Sequence, residues 1–301
     1  MPEDGEVKSA IVIPVGPGKG CVLDTLESVA SFCAEEHLVV IVDDHTEDGT
    51  YEALTSVKRA NWRILRNPRQ MGRIRLVHSL CSAYRLVLSD TNCGLVLRLD
   101  QDALIIKSGV LSDAQVYSSA NPTVGLFGVY EQDYDRPRSF DAHRRLIQRE
   151  MSLIRKLVGL APSWAALYRQ ALQRGYRTGD NVFGGAYFIT RPCLEAMAAQ
   201  GAMDVPYRWH SRLMEDVYFS MATVAAGFSL GHFAAPSGPL CLEWTGLPYP
   251  AKELVESPYK VVHSVDKGKN TDRESNGGMT AREYFRAVRR QDQTLAQNPN
   301  S

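Results

Sequence analysis

The sequence predicts an α/β fold built on a mostly parallel sheet flanked by helices, and three observations lead there. Short, continuous apolar runs rich in β-branched residues recur at 10–15, 38–42, 62–65 and 95–99. Such runs suit strands buried on both faces. The stretches between them carry apolar residues at helical spacing, which gives the strand–helix alternation of a doubly covered sheet. Three of the runs then end in glycine-rich or acidic clusters: Gly16-Pro17-Gly18, Asp43-Asp44, and Asp100 with Asp102. Ligands bind such sheets at the carboxyl ends of their strands.

The elements follow in order. The first strand, 10–15, breaks at Gly16-Pro17-Gly18, and a helix is expected from about Asp24, with Glu27 as its capping-box partner. The second strand, 38–42, ends in Asp43-Asp44. Asp48 then caps a helix carrying Tyr51, Leu54 and Val57. A third strand spans 62–65, a helix 72–88 and a fourth strand 95–99. From 131 to 181 the pattern changes to a helical insert. Between Arg136 and Arg177, ten Arg or Lys residues oppose only Asp141 and Glu150, a local charge of +8. Leu146, Ile147, Ile154, Leu157 and Val158 fall near helical spacing. One reading is a helical hairpin packing its apolar side on the core with solvated arginines. The other is an acceptor-side element whose arginines meet a phosphate-bearing or membrane-surface substrate. The sheet resumes at 182–189, followed by helices from about Pro192 and over 215–226. A polar segment at 266–278 precedes a last helix, opened by a Thr280/Glu283 capping box, and the chain frays from about 293. The domain organisation expected is therefore one domain in two halves, 1–130 and 182–265, with the insert 131–181 between them and 266–301 as a terminal loop, helix and tail.

Composition narrows the function. In 301 residues, Lys plus Arg and Asp plus Glu are both 34, so no global charge argues for nucleic acid. Six cysteines without a C-x-x-C pair read as core thiols of a reducing compartment. The N-terminus is acidic and polar, and no segment approaches the roughly 18 apolar residues of a membrane span. A soluble cytoplasmic protein is expected, with the basic 136–177 region as the place for any peripheral membrane contact.

Asp100-Gln101-Asp102 follows the apolar run 95–99. Two carboxylates on one loop at a strand end form either a solvated surface loop or a site for Mg²⁺ or Mn²⁺ held with phosphate oxygens. Gly16-Pro17-Gly18-Lys19-Gly20 is neither a Walker A loop nor a dinucleotide fingerprint, since the spacing fails both. It still makes a turn where backbone can approach a nucleotide. Asp43-Asp44 can accept hydrogen bonds from a base or ribose, or cap the next helix. Glu215-Asp216 reads either as acids in the first turn of a helix or as a catalytic pair.

Taken together, three segments resemble the opening of family 2 GT-A glycosyltransferases. They are Ala10-Ile-Val-Ile-Pro-Val15, Thr25-Leu-Glu-Ser-Val29 and Val39-Val-Ile-Val-Asp-Asp-His-Thr-Glu-Asp-Gly-Thr50. The resemblance continues through Asn67 and Gly72 with nearby arginines, and through Leu97-Arg-Leu-Asp-Gln-Asp102 at the family's D-x-D position. It resumes at Phe183-Gly-Gly-Ala-Tyr-Phe-Ile-Thr-Arg191, then at Met214-Glu-Asp-Val-Tyr-Phe219 with Ala226-Gly-Phe228. It covers roughly 10–130 and 180–265 and leaves the insert unmatched.

The resemblance implies a GT-A, Rossmann-like sheet and a metal-dependent, inverting sugar transfer. The donor would be a nucleotide-diphosphate sugar, UDP-sugar favoured, and the acceptor a free hydroxyl on a glycan, a lipid-linked molecule or a small molecule. It implies donor contacts at Pro14, Val15, Asp43, Asp44, Gln101 and Arg73 or Arg75. Asp100 would contact ribose or metal-bound water, and Asp102 would ligate Mn²⁺ or Mg²⁺. Gly184 and Gly185 would let backbone approach the sugar, and Asp216 would be the general base with Glu215 beside it. His263 is the third metal-ligand candidate and His232 its competitor. Lys267 and Lys269 could form a lid over the diphosphate or stay solvated. Trp209 and Trp244 could stack on a sugar or belong to the core. The competing functions are a sugar-nucleotide pyrophosphorylase-like enzyme, whose strand-one signature is missing, and a non-catalytic nucleotide-sugar-binding protein on the same fold.

Overall fold

The apolar runs of the first hundred residues become neighbouring strands of one sheet. In the computed structural model, which describes residues 7–133, 136–205 and 211–297, they are β1 (Ser9–Val15), β2 (His37–Asp43), β3 (Trp62–Arg66) and β4 (Leu95–Leu99). β1 pairs in parallel with β2 and β4, and β2 with β3. Side chains alternate across a strand, so both faces of β1 need cover. Ala10 and Val12 join the cluster of Val77 and Leu80 from α3 (Leu76–Asp90). Ile11 and Ile13 join that of Val22 and Leu26 from α1 (Lys19–Phe32). Between these helices in sequence lies α2 (Thr50–Ser56).

The later strands are β5 (Leu104–Ile105), β6 (Val124–Gly128), the short hairpin β7 (Gln132–Asp133) and β8 (Arg136–Pro137), β9 (Ala186–Thr190) and β10 (Ser229–His232). With α4 (Val110–Ala120) preceding β6, the main sheet has the order β10-β6-β9-β4-β1-β2-β3. β9 runs antiparallel to both of its neighbours, with Leu99 opposite Ala186. That reversal sets the residues before β9, Gly184 and Gly185, beside Asp100 at the end of β4. A second sheet joins β11 (Leu240–Leu242), β12 (Val261–His263) and β5. β12 pairs antiparallel with β5, Val261 to Ile105 and Val262 to Leu104. One step further along this register brings His263 to the loop that carries Asp102.

The remaining helices are α5 (Asp141–Glu150), α6 (Leu153–Leu157), α7 (Ala165–Gln173), α8 (Arg191–Ala199), α9 (Glu215–Ala225), α10 (Ala251–Glu256) and α11 (Ala281–Gln297). The Thr280/Glu283 capping box opens α11: Thr280 N donates to Glu283 Oε2 at 2.8 Å and Glu283 N to Thr280 Oγ1 at 3.2 Å.

Three expectations change. α1 starts at Lys19, and Asp24 lies buried inside it rather than capping it. Asp24 is paired with Arg282 (2.7 Å), Arg289 (2.5 Å) and Arg286 (3.2 Å) of α11. Burial alone would push its carboxyl up, but Arg282 and Arg289 outweigh that and hold it below the usual range. Residues 182–185 precede β9 instead of belonging to it, and Val182 N donates to Ser220 Oγ on α9. In the insert, Ile147 is buried while Ile154, Leu157 and Val158 are exposed, so helical spacing there does not mark a single core face. α7 instead anchors the insert by packing on α9, with the buried Trp164 donating to Ser211 Oγ at 2.9 Å.

Candidate active site

The strand ends converge on a cavity of about 690 Å³. Its lining includes Pro14, Val15, Asp44, Arg73, Asp100, Gln101, Asp102, Gly184, Gly185, Glu215, Asp216, His263 and Lys267. Of the residues singled out from sequence, Asp43 and Arg75 are not in that lining. Asp43 is fully buried, accepting from Thr46 Oγ1 at 2.5 Å and pairing with Arg66 at 3.3 Å. It therefore stabilises the turn after β2, and Asp44 alone faces the cavity.

At the cavity's centre, Asp100, Asp102 and His263 bring one ligand atom each within 4.8 Å of one another, the one such group among the described residues. His263 Nδ1 lies 2.8 Å from the carbonyl oxygen of Glu243. An N–H must be there, so Nε2 is the nitrogen that faces the carboxylates, 3.2 Å from Asp102 Oδ1 and 3.6 Å from Asp100 Oδ2. It donates to them when the ring is protonated and would offer its lone pair to a bound cation. Ser264 Oγ donates to the other Asp102 oxygen at 2.6 Å. Burial opposes charge on both groups. The pairing prevails, holding Asp102 well below and His263 above their ordinary values. The pocket is thus built to hold positive charge between two carboxylates. Two hard oxygens and an imidazole nitrogen fit Mn²⁺ well and Mg²⁺ acceptably.

The glycines before β9 have separate reasons. Gly185 has φ +86°, and a Cβ there would sit 2.9 Å from His263 Nδ1. Its missing side chain makes room for the imidazole. A Cβ on Gly184 would lie 3.2 Å from Glu215 Oε1.

Arg98 is the penultimate residue of β4, with 1% exposure. Its Nη2 bonds Asp100 Oδ1 at 2.8 Å and Glu215 Oε1 at 3.0 Å. Burial favours a neutral guanidine, but the two carboxylates keep it charged. Burial pushes the Glu215 carboxyl up to about 7, with Arg98 opposing and Asp216 and Asp100 assisting. Glu215 therefore supports Asp100 through Arg98. Asp216 stands differently. Its Oδ2 accepts from Asn181 Nδ2 at 2.8 Å and Gly184 N at 3.3 Å, and its Oδ1 from Val217 N at 2.8 Å. Those donors fix its orientation on the cavity wall. Sequence reasoning missed Arg98 and Asn181. The signal for Arg98 was a charge inside an otherwise apolar strand, whereas nothing local marks Asn181.

The remaining wall is loop. Gln101 Oε1 accepts from Gly16 N at 2.8 Å and its Nε2 donates to Pro17 O at 3.2 Å, tying the loop after β1 to the Asp100–Asp102 loop. Asp44 accepts from Asn67 Nδ2 (2.7 Å), Met71 N (2.7 Å) and Gly72 N (2.8 Å), which positions neighbouring Arg73. The Arg73 guanidinium lies 4.3 Å from the ring centroid of Trp244, which is 61% exposed and belongs to the cavity rim, not the core. Trp209 lies outside the described residues. Lys267 reaches the cavity, while the Lys269 backbone pairs with Leu247. His232 is elsewhere, accepting from Tyr130 N at 3.2 Å, and takes no part in the Asp100–Asp102–His263 group.

No protein-family model and no curated protein sequence matches this chain. Solved structures do resemble it. A mannosyltransferase from Pyrobaculum calidifontis, PcManGT, in complex with GDP-Man and Mn²⁺, superposes with a TM-score of 0.50 at 15% identity over 89% of this chain. This chain spans 60% of that enzyme's length. TarS of S. aureus gives 0.48 at 14% identity, over 77% of this chain and 36% of TarS. The galactosyltransferase LgtC, with donor and acceptor sugar analogs, gives 0.46 at 14% identity over 93% and 95%. The fold is the GT-A type expected from the sequence, a mostly parallel sheet flanked by helices.

Proposed function

We propose that this protein is a metal-dependent, inverting glycosyltransferase that moves a sugar from a nucleotide-diphosphate sugar to an acceptor hydroxyl. The observation that carries the reading is the Asp100–Asp102–His263 group within one cavity with the oriented carboxylate of Asp216. UDP is the favoured carrier. Mn²⁺ is the favoured ion, in keeping with the donor set and with the PcManGT complex of like fold. Asp102 and His263 would hold the ion and Asp100 would complete its protein ligands. When bound it neutralises charge developing on the departing diphosphate.

The chain's own groups supply the rest. Asp44, with Pro14, Val15 and Gln101, borders the space for the nucleoside, and Arg73 and Lys267 offer positive charge to the phosphates. Asp216 accepts the proton of the acceptor hydroxyl as that oxygen attacks the sugar carbon from the face opposite the leaving group, which inverts the centre. Asn181 and Gly184 N keep its carboxylate aimed. The acceptor remains a class, any molecule presenting a free hydroxyl to Asp216.

Thermal unfolding with UDP and GDP, with Mn²⁺ or with EDTA, tests the reading. A ligand at about 100 times its Kd stabilises by about 2.7 kcal/mol, roughly 5 °C for a chain of this size. The shift should need Mn²⁺ and vanish in Asp102→Ala. A nucleotide shift unchanged by EDTA and by Asp102→Ala, or none with any nucleotide, would overturn it.

A further inference from the structure

The insert exposes what a soluble surface normally hides. Leu153, Ile154, Leu157 and Val158 are 67%, 74%, 76% and 62% exposed. They occupy α6 and the turn that continues it, where Val158 N still bonds Ile154 O at 3.1 Å. Spacings of three and four residues (Ile154 to Leu157, Leu153 to Leu157, Ile154 to Val158) set these side chains on one face of a helical turn. Leu160, two residues on, is 40% exposed. Half of the large exposed apolar residues of the described chain therefore fall within eight positions. Isolated exposed apolar residues need no explanation, but a contiguous group marks an interaction surface.

The surrounding charge narrows the partner. Arg145 and Arg149 on the preceding helix α5 are exposed, in a segment that carries ten basic residues against two acids while the whole chain is neutral. An apolar stripe that follows exposed arginines in a strongly basic segment matches an anionic bilayer surface, where apolar side chains enter the acyl boundary and guanidinium groups meet headgroup phosphates. The apolar residues are too few to span a bilayer, and no helix among the described residues is long and apolar enough to cross one.

We propose that the 145–160 segment is a peripheral docking surface for anionic lipid membranes, with Leu153, Ile154, Leu157 and Val158 as its inserting residues. The proposal is independent of the sugar-transfer reading, since none of these residues lines the main cavity.

The full chain is sedimented with phosphatidylcholine vesicles, with and without about 30% phosphatidylglycerol. Binding is expected only with the anionic lipid, and it should weaken as salt rises. Arg145→Gln with Arg149→Gln should lower the partition coefficient by about fivefold per arginine. Ile154→Ser with Leu157→Ser should lower it about tenfold or more at every salt concentration. Both double variants should unfold at the wild-type temperature and keep the wild-type shift with UDP and Mn²⁺, because the altered residues are exposed. Failure of the wild type to bind anionic vesicles, or equal binding by the Ile154/Leu157 variant, would overturn the proposal. So would wild-type self-association, seen by sedimentation velocity and lost in that variant, since the stripe would then be covered by a second copy. Loss of the nucleotide shift with vesicle binding retained would count against the sugar-transfer reading alone.

Discussion

Glu215 and Asp216 are adjacent, yet their surroundings divide the work between them. Glu215 spends its carboxyl on Arg98, deep in the wall, and Asp216 presents an oriented carboxylate to the cavity. Under the proposed sugar-transfer function, Asp216→Asn should cut turnover by roughly 10²- to 10⁴-fold, the usual worth of base catalysis, while the thermal shift with UDP and Mn²⁺ persists. Glu215→Gln keeps an oxygen for Arg98 and should retain most turnover. Equal losses in both variants would contradict this division. Gly185 carries the other test at this scale. Alanine there meets the His263 ring at 2.9 Å and must adopt φ +86°, a strain worth about 1–3 kcal/mol. Metal-dependent nucleotide binding in Gly185→Ala should weaken through displacement of the imidazole, measured as a higher Mn²⁺ requirement in the same thermal assay. The D-x-D pair and Asp44 were legible from sequence because each follows a recognisable strand, and the Glu-Asp pair because it opens a recognisable helix. The purpose of Gly185 was not, since the ring it accommodates lies 78 residues downstream on another sheet.

Among the elements, α1 and α11 show how local reading fails when the partner is remote. Asp24 followed by Glu27 looks like a helix start, and only the arginines of α11 reveal a buried ion cluster instead. Removing one side of such a cluster strands charge in the interior, at a cost of about 3–5 kcal/mol. Asp24→Asn should lower the unfolding free energy by that order in a denaturant titration. The pH dependence follows from the depressed pKa of Asp24. Its folded-state value lies below the unfolded one of about 3.9, so its contribution is complete above that pH and fades as pH falls through the folded value. The stability gap between wild type and Asp24→Asn should accordingly be constant near neutrality and shrink below about pH 4. A gap that holds unchanged in acid would show that the carboxylate's charge is not what binds α11. Strands were the easier elements to read, because β1, β2 and β4 are mostly apolar and lead into glycine-rich or acidic loops. The insert was the hardest. Its spacing predicted helices correctly, but only the packing shows that Ile147 turns inward while Ile154 and Leu157 face solvent.

At the scale of the molecule, the cavity is assembled from both sheets and from α9. β9's reversal and the β5–β12 pairing perform that assembly. Parallel order could be inferred from apolar runs, whereas the antiparallel β9 and the small second sheet could not, because short strands such as β5 leave no periodic trace. The clamp on Asp24 has a consequence in time. Arg289 follows it by 265 residues, and a chain emerging at about 5–20 residues per second takes tens of seconds to deliver that partner. Until then α1, whose first turn follows the cavity loop at Gly16-Pro17-Gly18, carries an unmatched charge on the face that α11 will cover. The nascent protein can build β1 to β4 early, but its first cavity wall settles only after the last helix has been made.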